Sequence, residues 1–184
     1  MIVVSKCLAG EPCRYDGGDN LVPEIRALVE RGEAVAVCPE VLGGLPTPRT
    51  PSETQTNGRV RSKQGEDVTE AFLRGAERAM EIWRENGCTA AILKARSPSC
   101  GKGIIYDGSF TGTRVAGNGV FAQMLLDAGV PVVTEEEYRK HFFDEGEDTE
   151  LCLQLHDEIS SRCSGCGKCK RAPANRRAFF LFHP

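Results

Sequence analysis

The chain has 184 residues, 40% of them hydrophobic and 27% charged, with a net charge of −3 at pH 7. That is enough chain for one domain with a proper core, or one domain with an appendix, and no apolar run approaches the ~18 residues a membrane span needs. Nine cysteines in a chain whose start is too short in its apolar part for a secretory signal point away from a disulfide scaffold and toward metal or redox chemistry in a reducing, cytoplasmic setting.

In chain order, short β-branched runs alternate with helical patterns, which predicts βαβ units and a compact, Rossmann-like, mainly parallel α/β sheet with flanking helices. Strands are expected at 2–6, 34–38, 89–94 and 131–134. A first helix runs from Pro23 to Arg31, with Ile25, Leu28 and Val29 as its apolar stripe and Gly32 behind it. Asp67 with Glu70 resembles a capping box. Val68, Phe72, Ala76, Met80 and Trp83 then recur at helical spacing up to Gly87, a stripe read as core packing. Further helices are expected over 119–128 and 135–142. Residues 43–66 and 95–118 are rich in glycine and, in the first, proline, without periodicity; structureless loops of that length are usually functional.

Three cysteines stand just past predicted strands: Cys7, Cys38 and Cys100. Ligands of open parallel sheets bind outside the carboxyl ends of the strands, so these thiols are expected to converge. Three thiolates would hold a soft metal centre and leave one position free for substrate. Cys13 is an alternative third thiol, but Cys7 sits tighter to its strand. In Cys38-Pro39-Glu40 the proline ends the strand and brings a carboxylate beside the thiol, as ligand, base or substrate contact. Ser97 and Ser99, in Ser97-Pro98-Ser99-Cys100-Gly101, offer hydroxyls for substrate or water, while glycine permits close backbone approach. Cys88, at a helix–strand junction, reads as a buried small hydrophobe.

Taken together, Cys7-Leu8-Ala9-Gly10, Cys13-Arg14-Tyr15-Asp16-Gly17, Cys38-Pro39-Glu40, Gly43-Gly44-Leu45-Pro46, Ser97-Pro98-Ser99-Cys100-Gly101 and Tyr106-Asp107-Gly108-Ser109-Phe110-Thr111-Gly112 resemble the thiouracil desulfurase (desulfidase) family over residues 1–142. The resemblance implies a Rossmann-like fold, a 4Fe-4S cluster held by three cysteines, and removal of sulfur from thiolated uracils without net redox change. Carried onto this chain, it implies Cys7, Cys38 and Cys100 as cluster ligands and Glu40 and Ser97 as the polar catalytic groups, with Ser99 the alternative hydroxyl. The implied partner is a small thiolated nucleobase or related thioamide. Two other readings are a cysteine-persulfide sulfurtransferase and a non-catalytic iron–sulfur or metal module.

Residues 143–184 fall outside the resemblance and read as an acidic linker followed by a basic, cysteine-rich tail. Eight acids lie within 135–150, whereas six basic residues and no acid follow Ser160. The basic tail is expected to offset the acids or face solvent rather than bind nucleic acid. Cys163, Cys166 and Cys169 repeat at metal-ligand spacing with Cys152 upstream, fitting a second iron–sulfur cluster or zinc. The apolar run Phe179-Phe180-Leu181-Phe182 is expected to dock on the domain or on a second subunit, so an oligomer is possible. The glycine-rich stretch at 112–119 lacks a GxGxxG or P-loop pattern, although the helix after it could present amides to a polar substrate group.

Overall fold

Val3 and Val4 are fully buried in the first strand because the sheet is covered on both faces. The structure, a computed structural model, describes residues 1–143. Its elements are β1 (Ile2–Ser5), α1 (Pro23–Glu30), β2 (Ala34–Val37), α2 (Pro39–Leu42), β3 (Ser52–Thr54), β4 (Val60–Ser62), α3 (Thr69–Glu85), β5 (Ala90–Leu93), β6 (Ile104–Tyr106), β7 (Arg114–Ala116), α4 (Val120–Asp127), β8 (Val132–Thr134) and α5 (Glu135–Phe143). A short 3-10 turn, Lys6–Ala9, follows β1.

Four strands form the parallel sheet β2-β1-β5-β8, with Val3 opposite Val35 and Ala91, and Ile92 opposite Val133. The predicted α/β class and the helices therefore hold, within a residue or two at the ends. Side chains alternate across the sheet. Val3, Val37, Ala91 and Leu93 pack with Ala76, Met80, Phe121 and Leu125 of α3 and α4. Ile2, Val4 and Ile92 pack on the other side with Ile25 and Leu28 of α1 and Tyr138 of α5. The stripe Phe72, Ala76 and Met80 is buried, as a packing face should be. Cys88 is likewise buried among apolar residues, which pushes its thiol pKa up. Among the described residues, no helix is long and apolar enough to cross a membrane.

Three local expectations need correction. The segments 43–66 and 95–118 are not structureless: each carries an antiparallel hairpin, β3–β4 and β6–β7. Their strands are three residues long, and β7 is exposed throughout, so no alternation marks them. Pro39–Leu42 forms a single helical turn where only a strand end was predicted. Asp67 does not cap through a box with Glu70; its Oδ1 accepts from the Thr69 amide two residues on, at 3.1 Å, an Asx turn ahead of α3. The tail and its four cysteines lie outside the described residues.

Candidate active site at the strand ends

All four parallel strands finish on the same side, so whatever follows them shares one crevice. Cys7 lies in the turn after β1, Cys38 caps α2 directly after β2, and Cys100 lies in the loop after β5. All three line one cavity of about 530 Å³, together with Cys13, Glu40 and Ser97. The alternative thiol is thus brought in as a fourth member.

The four thiols are not equivalent. Cys7 is drawn below the ordinary thiol range, chiefly by a hydrogen bond from Cys13, against burial, with help from the Asn20 amide. Cys38 is drawn down to about 7, again chiefly by Cys13 and against burial, with the Val41 N–H assisting. Cys13 is pushed strongly up because it keeps its proton to donate to Cys38 and Cys7, and burial adds to this. Cys100 is raised by burial, with a hydrogen bond from Ser5 opposing. Cys38 Sγ lies 3.9 Å from the Cys13 carbonyl oxygen, to which its thiol donates. Among the described residues, no three acidic, His or Cys side chains stand close enough to grip a single ion. Donors around one metal atom sit within about 2.3 Å of it. Thiols spread around a cavity suit a polynuclear centre, whose ligands reach separate metal atoms.

Glu40 is held from two directions. Arg49 reaches its Oε2 at 2.8 Å through Nε and 2.7 Å through Nη2, and Ser99 Oγ donates to Oε1 at 3.2 Å. The other Arg49 donors go to the carbonyls of Pro46 (3.2 Å) and Cys13 (3.1 Å) and to Thr47 Oγ1 (3.2 Å), so its fork is fully used. Ser99 is 1% exposed and supports the carboxylate from behind. Ser97 does line the cavity, and its Oγ accepts from the amides of Ser99 (3.1 Å) and Cys100 (3.2 Å). With its acceptor side committed to that turn, its hydroxyl proton remains for a partner in the cavity.

Glycine lets α2 press onto α3. A Cβ at Gly75 would stand 1.8 Å from the Pro39 carbonyl oxygen, and one at Gly43 would stand 2.0 Å from that of Ala71. Arg74 also donates to the Gly43 carbonyl at 2.9 Å. The Cys100 loop is fastened by α4, whose first amides are spent on it: Val120 donates to Pro98 at 3.0 Å and Phe121 to Ser99 at 2.9 Å. The expectation that this helix end offers amides to a substrate is therefore corrected.

The other fastening comes from α5. Glu135 takes Lys94 Nζ and, at 2.6 Å, the Ala95 amide; Glu136 takes Arg96 in a fork; Glu137 takes Lys102 at 3.0 Å. Arg96 sits at φ +62°, a left-handed conformation that this anchoring holds. Glu137 also accepts the Thr134 amide at 2.6 Å while its own amide reaches Thr134 Oγ1 at 3.2 Å, a capping box. The first three acids of the acidic stretch thus hold this loop. Sequence reasoning also missed Arg49 and Asn20. For Arg49 the available signal was a lone arginine closing Pro46-Thr47-Pro48 directly after the Glu40 segment; for Asn20 there was none.

The profile of the 2-thiouracil desulfurase family matches residues 2–137. The uncharacterized protein YbbK of Bacillus subtilis (strain 168) is 44% identical over 146 residues, which span 74% of this chain and 97% of that protein. The solved structure of the 4Fe-4S-dependent thiouracil desulfidase TudS superposes with a TM-score of 0.73 at 43% identity, covering 84% of this chain and 96% of that one. With the fold shared and the profile spanning almost every described residue, the chain belongs to the 2-thiouracil desulfurase family.

Proposed function

We propose that this chain removes sulfur from thiolated uracil-type substrates, yielding the oxo compound and sulfide without net electron transfer, with a 4Fe-4S cluster held by Cys7, Cys38 and Cys100. The observation that carries the reading is the meeting of these three thiols, each from a different strand end, with Glu40 around one cavity. The donor set fits the group: three cysteine sulfurs lining one cavity of about 530 Å³. Cys13 lines the same cavity and is read here as a neighbour of the ligands rather than one of them.

When bound through three thiolates, such a cluster supplies a Lewis-acidic iron with an open position, able to polarise a thiocarbonyl. The protein's share is positional. Glu40, its Oε2 fixed by Arg49 and its Oε1 touched by Ser99, keeps a lone pair of Oε1 for a water aimed at the thiocarbonyl carbon. Ser97 steadies developing negative charge with the hydroxyl proton that its turn leaves free. Tyr15 and Tyr106 bring aromatic surface to the cavity wall, suited to a flat pyrimidine.

Anaerobically purified protein is expected to be brown, to contain four irons and four acid-labile sulfides at this site, and to release one sulfide per uracil from 2-thiouracil with no electron donor present. A requirement for a reductant, or sulfide release by protein without iron, would refute the proposal. One observation favours a second reading: a half-buried Cys38 thiol drawn down to about 7 is also what a persulfide carrier needs. A colourless protein that accepts sulfane sulfur from thiosulfate onto Cys38 would establish that alternative.

A further inference from the structure

Two alternate side chains at β3 grip the loop of the β6–β7 hairpin. Glu53 Oε2 accepts the Phe110 amide at 2.9 Å, and Gln55 Nε2 donates to the Gly108 carbonyl at 3.0 Å. Phe110 stands at φ +58°, a left-handed conformation that a non-glycine residue keeps only where its surroundings hold it. The loop is tied internally as well: Asp107 Oδ1 accepts the Ser109 amide at 2.9 Å, and the Asp107 amide donates to the Thr113 carbonyl at 3.1 Å. Glu53 lines the same cavity as the three thiols, as do Tyr106 and Gly112 of the hairpin it holds. Its carboxylate is thus fixed through one oxygen, while the other, Oε1, has no hydrogen-bond or ion-pair partner among the described residues. Of the two carboxylates on that wall, Glu40 is neutralised by Arg49, whereas no described cation meets Glu53. The other basic side chains of the wall each face another acid, as Arg14 faces Asp16 and Lys94 faces Glu135.

A charged acceptor held rigid and left unpaired in a substrate cavity selects a ligand that brings an N–H and no negative charge. The uracil ring carries such a group at N3, between C2 and C4, so it adjoins the thiocarbonyl whichever of those carbons bears the sulfur. We infer that Glu53 accepts the N3–H of the thiolated pyrimidine through Oε1 and thereby sets which edge of the ring enters the site. The inference rests on the desulfurase reading above. The two wall carboxylates then divide the work, Glu40 addressing the water and Glu53 the ring. Because the Phe110 amide fixes the carboxylate before a ligand arrives, little ordering is left to be done on binding.

The test is calorimetric binding of uracil and 3-methyluracil to the full chain, reconstituted anaerobically, for wild type, Glu53→Gln and Gln55→Ala, with sulfide release from 2-thiouracil followed alongside. In Glu53→Gln the Phe110 amide, which only donates, must take the oxygen of the new side chain, so the clasp survives and an NH2 group replaces the free acceptor. Wild type is expected to bind uracil about 10–10²-fold more tightly than 3-methyluracil, the worth of a hydrogen bond to a charged group. Glu53→Gln should weaken uracil by about that factor, raise KM for 2-thiouracil in step, and erase most of the discrimination. Gln55→Ala loosens the same loop at Gly108 without touching the ring and should keep the discrimination. Indifference of wild type to the N3 methyl overturns the inference, as does discrimination that persists in Glu53→Gln or vanishes equally in Gln55→Ala. If Glu53→Gln does not fold, the wild-type pair of ligands decides alone. A wild-type chain that loads a cluster yet releases no sulfide from 2-thiouracil refutes the desulfurase reading and the inference with it. One that releases sulfide but binds both rings alike refutes the inference only.

Discussion

Replacing Gly75 with alanine is the sharpest test of how α2 is positioned, because two effects of opposite sign meet there. In the interior of α3, alanine is favoured over glycine by about 1 kcal/mol. At this position, however, the new Cβ stands 1.8 Å from the Pro39 oxygen and 2.8 Å from the Gly43 nitrogen, where real Cβ contacts essentially never fall below 3.0 Å. Both obstacles are backbone and neither can swing aside, so α2 must retreat by more than 1 Å (3.0 against 1.8 Å). Overpacking of this kind costs about 1–3 kcal/mol, which cancels or outweighs the propensity gain. The larger effect is on function, since α2 carries Glu40 and is capped by Cys38, and a 1 Å misplacement can cost about 10²-fold in rate. We expect Gly75→Ala to lose about 0–2 kcal/mol in urea unfolding, the difference between those two effects. Its sulfide release from 2-thiouracil should fall about 10²-fold. The exposed-face control Arg78→Ala, whose partners Glu81 and Glu85 are also exposed, should match wild type in both. A Gly75→Ala protein more stable than wild type, with an unchanged rate, would show that the α2–α3 contact does not position the site.

Cys7→Ala, Cys38→Ala and Cys100→Ala should each lose bound iron and labile sulfide while Cys13→Ala retains them; a full cluster in any of the first three removes that residue from the ligand set. Glu40→Gln should keep the cluster and slow turnover by about 10²–10⁴-fold, as loss of a general base does, and a wild-type rate would retire Glu40 from catalysis. The fork from Arg96 holds the Glu136 carboxyl below the ordinary 4.5, against a small opposing burial. The stability this pair contributes is therefore complete above the unfolded value, near pH 4.5, and is lost as pH falls through the lower folded one. Glu136→Gln should flatten that acid limb in pH-dependent unfolding, and an unaltered slope would contradict the anchoring of the Cys100 loop by α5. Metal analysis of the full chain should find zinc or additional iron beyond the active-site cluster, held by Cys152, Cys163, Cys166 and Cys169 and lost on truncation after Phe143. Equal metal in both proteins would dismiss the tail as a metal site.

The sheet was legible because its strands are buried on both faces and so read as unbroken apolar runs, as Ile2-Val3-Val4 does. Its connectivity then placed the thiols, since parallel strands must all end on one side. What stayed hidden was held by polar contacts between segments distant in sequence. Ser99 meets Glu40 across 59 residues, and the Ala95 amide meets Glu135 across 40. Such bonds have no period and no composition. The two serines show the cost: from sequence Ser97 and Ser99 are near equals, and only the bonding divides them, one lining the cavity and the other buried behind Glu40. The hairpins were missed for a different reason, because three-residue strands are too short to display alternation.

The acidic run 135–137 has a use that composition does not disclose, and it bears on how the site is built. Three of the helices that begin at the carboxyl edge of the sheet, α2, α4 and α5, adjoin the site, each with unpaired amides in its first turn. Those of α4 are consumed by the Pro98 and Ser99 carbonyls. The first turn of α5 carries three glutamates, favoured there by the helix dipole, which reach out to Lys94, Arg96 and Lys102. Both helix ends are thus spent on fastening the Cys100 loop, and neither is left to meet a ligand. By contrast α2, pressed down through Gly43 and Gly75, carries a cavity thiol at its cap, that of Cys38, and Glu40 in its first turn. Two helices hold the Cys100 wall still, and the third positions the Cys38 wall. A substitution that loosens α5 should therefore disturb Cys100 first, and one that lifts α2 should disturb Cys38 and Glu40 together.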